Sequence, residues 1–166
     1  MSDRPIPDST RRAQAKASDP RISAWVSANA GSGKTFVLSR RVIRLLLHGV
    51  PPSRILCLTF TRAAAAEMAN RVFSTLGEWA TMEEAVLGKV IEEIIERKPG
   101  KGELNRARTL FATSLDTPGG LKIQTIHAFC EALLHQFPLE ANISGHFDVV
   151  QDEQQQELLA QARRQV

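Results

Sequence analysis

An α/β architecture, with a parallel sheet flanked by helices, is the fold class this sequence predicts, and three observations lead to it. Short apolar runs alternate with amphipathic stretches of helical length. The first run, Ser23-Ala24-Trp25-Val26-Ser27, passes into a helical stretch through Ala28-Asn29-Ala30-Gly31-Ser32-Gly33-Lys34-Thr35, a composition suited to wrapping a phosphate. At 166 residues and 43% hydrophobic, the chain is long enough to bury one core.

Residues 1–20 are polar, carry Pro5, Pro7 and Pro20, and read as an arm with a short helix around 10–17. A strand is expected at about 22–27. The helix over 34–48 follows, with Val37, Leu38, Val42, Leu45 and Leu46 at helical spacing, stopped by Gly49 and the Pro51-Pro52 pair. Arg54 to Phe60 reads as a buried strand, and the alanine-rich stretch from 62 to 78 as its helix. Two more helical patterns, split by Lys98-Pro99-Gly100-Lys101-Gly102, suggest an insertion at about 79–118 that packs outside the sheet. Pro118-Gly119-Gly120 ends it. Residues 121–126 then alternate as a third strand, a helix is expected over 127–136, and a short apolar piece at 147–150 precedes a glutamine-rich helix from about 152.

Composition excludes several classes. A net charge of +3 is a mild basic bias that permits nucleic acid as a partner without demanding it. Apolar runs such as Val42-Ile43-Arg44-Leu45-Leu46-Leu47 are short and broken by arginine, so no membrane span is expected, and Met1 to Pro5 holds no apolar signal core. Two cysteines, Cys57 and Cys130, inside apolar segments read as reduced thiols of a cytoplasmic protein.

The chemistry concentrates at residues 28–35. Gly31 and Gly33 let the backbone turn its N–H groups inward, and the helix starting near Gly33 directs its positive end at the same anion. Lys34, the candidate catalytic residue, would reach the β- and γ-phosphates of ATP, and the Thr35 hydroxyl would hold Mg²⁺. Ala28 stands where this loop usually has its first glycine; it is small enough for the turn.

Residues 58–71, LTFTRAAAAEMANR, and 125–130, TIHAFC, follow the loop in the order found in one family of DNA motors. The first resembles motif Ia and the second motif Ib of the UvrD/Rep/PcrA class of superfamily-one DNA helicases. The Thr125-Ile126-His127 form and the long spacer over 72–124 are closer to the RecB and AddA members, which process double-strand breaks. The resemblance runs from Gln14 onward and implies a RecA-like P-loop NTPase domain, incomplete at its C-terminus: an N-terminal part of the first motor domain. Gln14, 20 residues before Lys34, is similar to the Q motif, where a glutamine amide reads adenine; its other reading is a solvated glutamine. Phe36 stands where compact members often carry arginine.

A motor indifferent to sequence holds a single strand by its backbone and by stacking. The resemblance therefore assigns DNA contacts to Thr59, Phe60, Thr61, Arg62, Thr125 and His127. Phe60 judged alone reads as core, and His127 also reads as a helix cap. Ala63 to Ala66 reads as a close-packed helix face. Arg62 replaces the family's usual asparagine or lysine and keeps a positive charge for the backbone.

ATP hydrolysis in this family needs an acidic pair after an apolar strand. Asp152-Glu153 is the candidate, but Asp148 and Gln151 interrupt the run before it, and Asp152 reads better as an N-cap. The resemblance thus implies the ATP-binding part of an ATP-dependent 3′-to-5′ helicase of break repair in a bacterial cytoplasm. DNA and a second, AddB-like helicase–nuclease subunit would be its partners, and the piece alone would be inactive in hydrolysis. Two alternatives stand beside it: a stand-alone nucleotide- or single-strand-binding module, and an unrelated small P-loop NTPase.

Overall fold

The computed structural model describes residues 7–27, 29, 33–150 and 152–164, with the backbone alone at 152 and 153. Contacts divide the chain into two units, residues 1–124 and 125–166.

In the first unit the core is made by four helices: α2 (Lys34–Leu47), α3 (Arg62–Thr81), α4 (Glu84–Ile95) and α5 (Lys101–Asp116). Each contributes a stripe at helical spacing. Helix α3 buries Ala65, Met68, Val72, Leu76 and Trp79, and α4 buries Leu87, Ile91 and Ile95. With Val42, Ile43, Leu46 and Leu47 of α2, and Ala107 and Leu110 of α5, all of these but Ala65 form one apolar cluster. Phe73 and Phe111 meet edge to face across α3 and α5, with ring centroids 6.4 Å apart. The helices of the insertion, α4 and α5, contribute to this core by packing on α2 and α3.

Helix α2 ends in a Schellman motif. Gly49 adopts φ +85°, its N–H donates to the Leu46 carbonyl at 2.9 Å, and the Val50 N–H donates to Leu45 at 3.1 Å. A side chain at Gly49 would also press on the Arg106 guanidinium, about 3.2 Å away, which caps α2 by donating to the Leu47 carbonyl at 2.7 Å.

Two strands, β1 (Leu56–Thr59) and β2 (Lys122–Thr125), pair in parallel as a small sheet. Strand β1 is not buried: Leu56 and Leu58 are both 43% exposed, because one face packs on α3 while the other has no covering layer among the described residues. The strand expected at 22–27 is also absent. Trp25 is 95% exposed there, and with no neighbouring strand to take its N–H and C=O groups the segment forms no ladder.

Helix α1 (Asp8–Ala17) buries no residue of its own. Two arginines of α2 fasten it. Arg41 donates to the carbonyls of Ala17, Asp19 and Ile22 at 3.2, 2.6 and 2.6 Å, and Arg44 to Ala15 at 3.2 Å. Cations are favoured at a helix C-terminus, where the last carbonyls lack partners.

The second unit holds α6 (Ile126–Gln136) and α7 (Asp152–Arg164). Helix α6 buries no residue, and His135 stacks on Phe147 at 4.2 Å. Val149 and Val150 are exposed and outside any strand. Helix α7 begins at Asp152, at the expected place; the side chains of Asp152 and Glu153 lie outside the described residues. No helix among the described residues is long and apolar enough to cross a membrane.

Candidate functional site

Of the residues expected to hold the phosphates, Asn29, Gly33, Lys34 and Thr35 are described, while Ala28, Ala30, Gly31 and Ser32 lie outside the described residues. Gly33 has φ +89°, a left-handed conformation that glycine adopts without a steric cost, and it turns the chain directly into α2. Lys34 opens that helix, and its Nζ donates to the Asn29 carbonyl at 2.7 Å. Thr35, half-buried, follows in the first turn.

Gln14 reaches this junction from α1. Its Nε2 lies 3.1 Å from where a β-carbon on Gly33 would sit. Gln14, Thr10, Gly33, Lys34 and Val37 line one cavity of about 480 Å³, with Trp25 at its edge. The arm therefore delivers an amide, a hydrogen-bond donor and acceptor, to the N-terminal end of α2. Phe36 is exposed at 42%. The two residues that make this possible, Arg41 and Arg44, escape sequence reasoning. Arg44 registers only as an interruption of the apolar run and Arg41 not at all; their i, i+3 spacing on one side of α2 is the signal that could have found them.

A helix that opens directly after a glycine offers unpaired N–H donors to an anion at its N-terminus.

At the end of β1, Thr61 caps α3: its Oγ1 accepts from the Ala64 N–H at 3.1 Å, and the Thr59 hydroxyl donates to the Thr61 carbonyl at 2.9 Å. Phe60 is 85% exposed, so the ring is not part of the core. Arg62 is the first residue of α3, exposed, and enters no ion pair among the described residues. Of Ala63 to Ala66 only Ala65 is buried, so a packed face holds for that one residue. In the second unit, Thr125 caps α6 by accepting from the Ala128 N–H at 3.2 Å. The cap is therefore Thr125 and not His127, which is exposed in the first turn. Thr61 and Thr125 thus do the same work, each turning a strand end into a helix.

Cys57 is half-buried, and burial pushes its thiol above the usual 9.0, whereas Cys130 is exposed. Neither forms a disulfide.

Residues 9–166 match the UvrD/REP helicase N-terminal domain. The chain belongs to this helicase family. An unrelated small P-loop NTPase is thereby set aside, since the match takes in both threonine-capped strand ends as well as the loop. Among its relatives, the ATP-dependent helicase/nuclease subunit (AddA) of Lactobacillus acidophilus is 34% identical over 154 residues, 93% of this chain and 11% of that protein. The protein of the same name from Lactobacillus johnsonii is 37% identical over 134 residues, 81% of this chain and 9% of that one. The Enterococcus faecalis protein is 35% identical over the same share. The chain thus spans about a tenth of the length of the curated relatives it matches.

Proposed function

We propose that the chain is the ATP-binding part of a DNA helicase motor of the helicase–nuclease kind, acting 3′ to 5′ in double-strand-break repair together with an AddB-like partner. ATP would lie along residues 28–35, with Lys34 on its phosphates and its Mg²⁺ held through Thr35. The bound nucleotide supplies the free energy of phosphoryl transfer. What this chain contributes is recognition and orientation. The observation that carries the reading is the Gln14 amide beside Gly33 in the cavity that Lys34 also lines. It is the arrangement needed to read a base and hold its phosphates together.

The same reading gives the first motor domain a RecA-like sheet. In it the segment 22–27 becomes a strand once its neighbours come from the length of the relatives that this chain does not span. That would also cover Trp25 and the open face of β1.

DNA contacts are proposed at Thr59, Phe60, Thr61 and Arg62, and at Thr125 and His127. Two local features support them. An exposed aromatic ring at a strand end is available for stacking, worth about 1–3 kcal/mol per base. A cation in the first turn of a helix stands against the helix dipole, a local cost that a phosphate would relieve.

The test is titration of the chain with a fluorescent ATP analogue and its GTP counterpart. Lys34→Ala is expected to weaken both. Gln14→Ala is expected to weaken ATP selectively and leave GTP unchanged. Equal losses for the two bases in Gln14→Ala would remove the adenine assignment, and unchanged binding in Lys34→Ala would remove the nucleotide site.

A further inference from the structure

Helix α1 has two working faces. Thr10, Gln14 and Ala17 look toward the nucleotide cavity, while Arg12, Ala15 and Lys16, offset by half a helical turn, line a second cavity of about 490 Å³ together with Asp19, just past the helix. Its other walls are the C-terminal end of α2, through Arg44 and His48, and the end of α4, through Glu96 and Arg97.

The charges there do not cancel. Five guanidinium or ammonium groups, those of Arg12, Lys16, Arg21, Arg44 and Arg97, face the carboxylates of Asp19 and Glu96. Asp19 is held by Arg21 at 2.8 Å, and its carboxyl is pushed well below the usual range by that hydrogen bond. Arg97 is engaged by Glu103 at 2.6 Å. Arg12 and Lys16, one turn apart on α1, enter no ion pair among the described residues.

Arg44 is the second, independent observation. Its side chain is only 7% exposed; Nη1 donates to the Ala15 carbonyl and the Ser18 hydroxyl at 3.2 Å and reaches Glu96 at 3.4 Å, while its Nε has no partner among the described residues. A buried guanidinium whose donors are incompletely matched has capacity for an acceptor. His48 sits beside it, its Nδ1 2.6 Å from the Arg44 carbonyl. Because a carbonyl has no proton to give, Nδ1 is the donor.

We infer that this cavity is a second anion site, separate from the nucleotide loop, which takes a phosphate-bearing ligand between Arg12, Lys16 and the buried Arg44. The shared chemistry is a phosphate group; it could belong to a free polyphosphate or to the backbone of a nucleic acid. Arginine is suited to both, since its fork pairs with two phosphate oxygens at once.

The experiment uses the full chain carrying Lys34→Ala, so that the loop does not dominate the signal, and titrates it calorimetrically with inorganic pyrophosphate and with a single-stranded oligonucleotide. Binding of at least one is expected, weakened tenfold or more by the double substitution Arg12→Gln with Lys16→Gln. Both positions are on the exposed side of α1, so the fold does not depend on them. In the otherwise unaltered chain, the same pair is expected to leave the affinity for the ATP analogue unchanged. Tighter pyrophosphate binding identifies a free polyphosphate, and tighter oligonucleotide binding identifies a backbone phosphate. No binding of either probe, or binding indifferent to the double substitution, overturns the site.

Discussion

The side-chain amide of Gln14 lies against Gly33, its Nε2 3.1 Å from the position a β-carbon there would take. The contact joins two separate segments, the arm and the phosphate loop. It also makes Gly33 doubly constrained, by its left-handed φ of +89° and by the amide above it.

Gly33→Ala is therefore expected to cost roughly 1–3 kcal/mol from backbone strain and to displace Gln14. Thermal unfolding should report the first effect. Loss of preference for adenine over guanine in analogue titrations should report the second. An alanine variant with unchanged melting and unchanged base preference would show that this junction is not strained as described.

Arg41→Ala should act at a distance. The carbonyls of Ala17, Asp19 and Ile22 lose the guanidinium they share, and α1, with no buried residue of its own, loses one of its two arginine fastenings. Faster amide exchange over 8–17 is expected, together with the base-preference loss seen in Gln14→Ala. Arg41→Lys supplies one charged donor group in place of a planar fork and should recover only part. Exchange over 8–17 as slow as in the unaltered chain would refute this account.

Leu87 tests whether the insertion belongs to the core. It is fully buried in α4, next to Val86, which is 46% exposed. Leu87→Ala should destabilise the chain by about 2–5 kcal/mol, while Val86→Ala should change little. Denaturant unfolding of both distinguishes a structural layer from a decorative one.

Acid should loosen the start of α5. Hydrogen bonding from Arg97, helped by the Gly100 N–H at 2.9 Å, holds the Glu103 carboxyl below its ordinary 4.5. The folded state therefore binds this proton less readily than the unfolded chain. The contribution is complete above about pH 4.5 and is lost as pH falls further below it. Glu103→Gln should flatten that part of the stability curve between about pH 5 and pH 3, measured by thermal melts. A variant whose melts keep the original slope would mean that the pair makes no such contribution.

Much of the fold is legible along the chain. The helix over 34–48 appears as Lys34–Leu47, the one after residue 61 as Arg62–Thr81, and the one after the third apolar run as Ile126–Gln136. Each is announced by apolar spacing, and the first also by its end signals, glycine at 33 and 49. Strands are less legible. The runs at 22–27 and 54–60 look alike in sequence, yet only the second pairs, because a ladder needs a neighbour and β2 supplies one to β1 alone. Motif resemblance assigns Thr61 and Thr125 to DNA; their hydroxyls also cap helices, a role visible only once the following N–H groups are in place.

The sequence by itself determined the order of the helices and the kinship with helicases, since those depend on residue type and spacing along the chain. Only the tertiary structure decided that Gln14 meets Gly33, that the insertion supplies the core, and that Arg12, Lys16 and Arg44 face one cavity. These are contacts between residues far apart in sequence. Local propensity says nothing about them, and packing α1 and α4 against α2 creates them.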